Sequence, residues 1–142
     1  MLFGSCLHTL DEKNRLVIPS RMRGEIGTHL YIMKGFDGAL SIYPESSFIK
    51  LSEELNSLSF NKKDSRSFIR AQLATVVELD LDKMGRVVIP GSLLNKYNIS
   101  KEVVVLGAVN HIEVWDAKAY KEYEEEAESN FENIAENLNK EV

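Results

Sequence analysis

At 142 residues the chain is long enough for one domain or two small ones, and its 44% hydrophobic share is that of a globular protein. No apolar run approaches the roughly 18 residues of a transmembrane helix, and Met1–Leu10 lacks the basic-then-apolar pattern of a secretory signal, so a cytoplasmic protein is expected. A net charge of −5 argues against a uniformly basic nucleic-acid binder, and the single cysteine, Cys6, excludes an internal disulfide.

Taken in order, Leu2–Leu10 is apolar with a threonine and predicts a strand, in which Cys6 reads as a small buried side chain. Asp11–Asn14 is a polar turn, and Arg15–Ile18 is a short β-branched strand. Pro19 stops that strand, because it lacks a ladder donor, and suits the first turn of a helix over Ser20–Ile26 ending near Gly27. Leu30–Lys34 and Ala39–Tyr43 read as a hairpin around Gly35-Phe36-Asp37-Gly38. A helix is expected from Pro44 to about Leu58, with Phe48, Leu51, Leu55 and Leu58 on one face. Asn61–Asp64 forms a linker, with Asp64 suited to cap a helix over Ser65–Ala74 whose Phe68, Ile69 and Leu73 turn inward.

The second half follows the same plan. Thr75–Leu81 predicts a strand, Asp82–Gly85 a turn, and Arg86–Ile89 a strand stopped by Pro90. Ser92–Tyr97 is a short helix followed by a turn at Asn98, and Val103–Leu106 pairs with His111–Trp115 across Gly107–Asn110. Asp116 caps a final helix on which Tyr120, Tyr123, Ala127, Phe131, Ile134 and Leu138 form an apolar stripe. That stripe packs either on its own domain or on a neighbouring subunit.

The similarity of the halves is explicit. Leu10–Pro19 reads LDEKNRLVIP and Leu81–Pro90 reads LDKMGRVVIP, at a constant offset of 71 residues. With one residue inserted, Gly35 matches Gly107, Leu40 matches Ile112 and Tyr43 matches Trp115. One structural unit is used twice, so its functional surface is expected to occur twice. Each half is too small for a robust core of its own, so the halves are expected to share one. The expected division is a first unit over 1–60, a linker helix over 61–75, a second unit over 76–118 and an acidic C-terminal helix over 119–142. The fold class is α+β: eight short strands from two tandem repeats, interleaved to remove exposed edges and close a small barrel, with flanking helices.

Charge is distributed unevenly. Met1–Lys34 carries five Lys/Arg against three Asp/Glu, Phe60–Lys96 seven against four, and Glu113–Val142 three against ten. The repeat-bearing segments are therefore net basic, and a local basic patch is enough to draw phosphate.

The chemistry concentrates in the loops Asp11-Glu12-Lys13-Asn14-Arg15 and Asp82-Lys83-Met84-Gly85-Arg86. Asn14 and Gly85 share a slot and are residue types that tolerate a left-handed backbone, so this slot is read as having φ > 0. Asp11 and Asp82 suit an Asx-type turn; a carboxylate cannot bind phosphate, so they shape the loop or orient the arginine. Arg15 and Arg86 are left to contact phosphate or guanine edges, and Lys13 and Lys83 add sequence-independent attraction. Arg21 and Arg23 follow the first loop and are either flanking phosphate contacts or a solvated helix face. The second half has no matching arginines, so the loops are expected to contribute unequally.

These residues carry a resemblance. Two D-x-x-x-R loops run into Val17-Ile18-Pro19 and Val88-Ile89-Pro90, and Gly35-Phe36-Asp37-Gly38 with Tyr43-Pro44, and Val114-Trp115-Asp116, complete the pattern. Over nearly its whole length the chain resembles the MraZ family, bacterial regulators built from two AbrB-type (SpoVT-AbrB) DNA-binding units. The resemblance implies a swapped-hairpin, pseudo-twofold barrel and ring-shaped homo-oligomers. It implies nucleoid-associated repression of the division and cell-wall gene cluster that begins with the regulator's own gene, through short direct repeats in double-stranded DNA. Asp11, Arg15, Asp82 and Arg86 match the family motif; Asn14 departs from its usual glycine, and Met84 stands where a polar residue is common.

Rival readings are weaker. An antitoxin-like or other protein-interaction module would use the tail, but the duplicated loop argues against it. A small hydrolase would need a carboxylate pair, a nucleophile with its base, or metal-ligand spacing, and Ser20, Ser92, His8, His29 and His111 provide none. No catalytic activity, cofactor, metal, membrane or small-molecule substrate is expected.

Overall fold

The computed structural model describes residues 1–140; residues 141–142, the end of the expected C-terminal segment, lie outside the described residues. The first half contributes β1 (Ser5–Thr9), β2 (Arg15–Val17), α1 (Ser20–Ile26), β3 (His29–Lys34), β4 (Leu40–Pro44) and α2 (Glu45–Ser57). After α3 (Lys63–Leu73), the second contributes β5 (Val77–Asp80), β6 (Arg86–Val88), α4 (Gly91–Lys96), β7 (Glu102–Gly107), β8 (Ile112–Asp116), α5 (Ala117–Ser129) and α6 (Phe131–Lys140).

The fold is mixed α+β, but the barrel is not closed. One six-stranded antiparallel sheet has the order β1-β7-β8-β4-β3-β5, and β2 and β6 form a separate two-stranded ribbon. β2 and β6 have three residues each, with an Asp-initiated loop before and a proline shortly after, and they pair with each other and not with the sheet. The halves nevertheless exchange their first strands: β1 pairs with β7 of the second half, and β5 pairs with β3 of the first.

Period-two alternation explains the layers. Leu30, Ile32, Leu40, Ile42, Val103, Val105, Ile112 and Val114 point to one face of the sheet and pack with Leu16, Ile18, Val87 and Ile89 from the ribbon segments and with Met22, Ile26, Leu93 and Leu94 from α1 and α4. The opposite face carries Tyr31 stacked on Phe48 of α2 and the buried Trp115 against Tyr120 and Tyr123 of α5. One shared core therefore serves both halves, as their size requires.

Several local expectations change. Pro19 and Pro90 stand before α1 and α4 rather than inside the first turn, and Ser20 and Ser92 make no cap bond there. Asp64 lies within α3 instead of capping it, and Phe68 and Leu73 remain 41% and 43% exposed. The buried residue of α3 is Gln72, whose amide donates to the Lys34 carbonyl at 3.0 Å and anchors the helix on the end of β3. Asp116 does cap α5, accepting from the Ala119 N–H at 3.2 Å. The final helix is broken at Asn130; α5 packs on Trp115, whereas Phe131, Ile134 and Leu138 of α6 are exposed. The β3–β4 turn also corrects the alignment. The N–H of Gly35 donates to the carbonyl of Ala39 as that of Ala108 does to His111, so Gly35 corresponds to Ala108, not Gly107.

Val109, in the β7–β8 turn, is held at φ 71°, a strained conformation for a β-branched residue. Reciprocal 2.9 Å hydrogen bonds with Leu2 fix it there, and its side chain is exposed. Val109→Asn is expected to raise stability by about 1 kcal/mol, because asparagine tolerates that backbone. A denaturant midpoint that stays put or falls would exclude the strain.

Candidate nucleic-acid interface

The ribbon brings the two repeated loops together. Arg15 lies opposite Val88, Leu16 opposite Val87, and Val17 opposite Arg86. Leu16 and Val87 are the same position of the repeat, so a local twofold axis passes between them. The ladder extends past both ends: the Ile18 N–H donates to the Gly85 carbonyl and the Ile89 N–H to the Asn14 carbonyl, both at 2.9 Å. Each loop thus closes one end of a ribbon only three pairs long. Leu16 and Val87 point into the core, leaving Arg15, Val17, Arg86 and Val88 on the outer face. Arg15 and Arg86 are diagonal neighbours there, about 7–8 Å apart by sheet geometry.

Both loops are built alike. Asp11 Oδ1 accepts from the N–H groups of Lys13 and Arg15, both at 2.9 Å, and Asp82 Oδ1 from those of Met84 and Arg86 at 2.9 and 2.8 Å. Asn14 has φ 59° and Gly85 φ 77°, the left-handed backbone expected of that slot. The second oxygen of each aspartate accepts from Nε of its arginine. Among the described residues nothing accepts from the terminal guanidinium nitrogens, so each arginine is braced on one edge and keeps its terminal nitrogens for another acceptor. The aspartates are therefore consumed within the loops.

Backbone donation from Arg15 is the main reason the Asp11 carboxyl is pulled down to about 2. Asp82 is lowered for the same reason, the Arg86 N–H. The loop bonds of Asp11 hence support the fold fully above its ordinary value of 3.8 and are lost as pH falls through about 2. A carboxyl-carbon NMR titration is expected to give a midpoint near 2 for Asp11. Arg15→Ala keeps the N–H and should leave that midpoint depressed; a midpoint at the ordinary value would refute the loop geometry.

Lys13 and Lys83 are both exposed on the loops, but not at equivalent positions: Glu12 occupies the slot of Lys83, and Met84 that of Lys13. Arg23 does not serve the first loop. Its Nε donates to the Ile18 carbonyl at 2.8 Å, and its guanidinium covers Gly85 so closely that a Cβ there would lie 2.3 Å from Cζ. The first loop receives Lys101 instead, whose Nζ donates to the Asp11 carbonyl at 3.1 Å and to Asn14 Oδ1 at 2.6 Å. Each loop is thus braced by a cation from the other half. Lys101 escaped the sequence reading because its counterpart, Thr28, is not basic. Arg21 lies against Gly4 beside the N-terminal strand. His29 joins β3 to β5 through Asp80 at 3.0 Å, and His111 stacks on Tyr43; both are structural.

Comparison with known proteins matches both units of the chain. The family described as "MraZ protein, putative antitoxin-like" matches residues 1–71 and 73–142. The transcriptional regulator MraZ of Pediococcus pentosaceus is 41% identical over 138 residues, covering 97% of this chain and 96% of that protein. Its counterpart in Finegoldia magna is 38% identical over 139 residues, covering 98% and 97%, and that of Moorella thermoacetica 37% over 138, covering 97% and 96%. With both repeats matched and the similarity running almost end to end, the chain belongs to the MraZ family.

Proposed function

We propose that this protein is a transcriptional regulator, not an enzyme, that binds double-stranded DNA through the outer face of the β2–β6 ribbon. The observation that carries the reading is the pair of Asp-braced arginines, Arg15 and Arg86, presented side by side on one ribbon. A two-stranded ribbon fits the major groove, where an arginine fork reads guanine. In this reading Lys13, Lys83, Arg23 and Lys101 contact flanking phosphates, and Asp11, Asn14, Asp82 and Gly85 shape the loops. Arg21, against Gly4, is either a further flanking phosphate contact or part of a solvated helix face. The relatives' names support regulation. Repression of its own division and cell-wall gene cluster, through short direct repeats, follows from the family resemblance, as does a site of action at the nucleoid. The strand exchange between halves supports the swapped-hairpin arrangement and the division into units 1–60 and 76–118. The decisive experiment titrates the protein with duplex DNA from upstream of its own gene and with a scrambled duplex of equal length, at two salt concentrations. Preferential, salt-sensitive binding is expected; equal affinity for both duplexes would overturn the reading.

Assembly into a ring gives such a small surface its strength, because successive protomers on repeated sites act at high effective concentration. Self-association is supported by two complementary surfaces. The α2–α3 hairpin has an apolar groove lined by Leu55, Leu58, Phe60, Ile69 and Leu73, beside the basic Lys62, Lys63, Arg66 and Arg70. The α5–α6 hairpin exposes Phe131, Ile134 and Leu138 among acidic residues. Docking of one on the other between copies is head-to-tail, which closes rings and suits direct rather than inverted repeats. Deleting 122–142 is expected to leave the core folded and to reduce the assembly to smaller species in sedimentation; an unchanged assembly would discard this interface.

A further inference from the structure

The outer face of the ribbon holds, besides its arginines, two exposed apolar side chains. Val17 is 39% and Val88 55% exposed, although Leu16 and Val87 already fill the inner face at 0% and 1%. Valine is a favoured strand residue, so backbone preference accounts for its presence; what the register adds is an apolar group beside each arginine on the exposed face. The register is informative. Val88 stands opposite Arg15 and Val17 opposite Arg86, so each valine is the cross-strand neighbour of an arginine fork. Along one strand, Arg15 and Val17 are separated by about 6.8 Å at 3.4 Å per residue, close to two base-pair steps.

In the major groove the feature that answers an exposed methyl surface is the thymine C5-methyl group. Valine has no donor for a phosphate, so its contribution on this face is to sequence discrimination and not to general affinity. We propose that Val17 and Val88 are specificity-determining residues that seat against thymine methyl groups next to the bases contacted by Arg86 and Arg15. This rests on the reading of the ribbon as a DNA-binding face, and it names the base that the non-charged half of that face selects.

The test is a uracil scan. Thymines of the bound duplex are replaced singly by uracil, which removes only the methyl group and leaves the protein untouched. At a contacted thymine the loss is expected to be about fourfold, the value of one buried methyl-sized group. Val17→Ser and Val88→Ser, which remove both methyl groups, should each weaken discrimination at a different thymine while retaining the salt dependence of the parent protein. A parent protein that binds the duplex but is indifferent to every thymine-to-uracil change would overturn the proposal and leave the DNA-binding reading intact. So would serine variants that discriminate as well as the parent. Absence of binding to any duplex would overturn the DNA-binding reading, and this proposal with it.

Discussion

Arg15→Ala and Arg86→Ala are each expected to weaken operator binding by about 1–3 kcal/mol if the fork meets a base edge, and to flatten the salt slope by about one charge if it meets phosphate. The geometry makes the loss large for one residue. Nε of each guanidinium is bound by its own aspartate, so side-chain freedom is already restricted before DNA arrives. Arg15→Lys separates the two cases, since lysine keeps the charge but not the planar fork. A phosphate contact survives that change in large part; a guanine contact does not. The two arginines are near neighbours on the same face, so the double variant is expected to depart from additivity. Unchanged affinity and salt slope in both single variants would remove the ribbon from the binding surface.

Leu16→Ala is expected to cost about 2–5 kcal/mol of folding stability. Leu16 is fully buried and lies beside the local twofold axis, across from Val87, where the ribbon of both halves packs on the sheet. Neither half has a core without the other, so the loss should appear as one cooperative transition displaced to lower denaturant, with no intermediate plateau. Val88→Ala, one residue along on the partner strand but exposed, is the control and is expected to change stability by about 0.5 kcal/mol or less. Equal effects of the two substitutions would contradict the inside–outside assignment of the ribbon.

Much of this arrangement is readable from residue order. The repeated phrase yields the short strands, the proline stops and the left-handed slot, because each follows from local chemistry: β-branching, a missing donor, and the tolerance of asparagine and glycine. Pairing across halves is less accessible. That β2 and β6 pair with each other and leave the sheet is a choice of partner between distant segments, which hydrophobic pattern does not encode. The role of Gln72 illustrates the same limit, since a polar residue beside Phe68, Ile69 and Leu73 gives no sign that it, and not they, anchors the helix. Arg23 and Lys101 reach loops distant in sequence, and only the folded chain brings Arg23 to Gly85 and Lys101 to Asn14.

The two ends of the ribbon are related by a twofold axis in backbone but not in side chains. Glu12 at one end answers Lys83 at the other, and an amine braces the first loop where a guanidinium braces the second. Two identical chains meeting at such an axis would be forced into the same chemistry at both ends. Here both strands belong to one gene product, so each end is free to mutate alone, and the ribbon acquires polarity: it has a front and a back along whatever it grips.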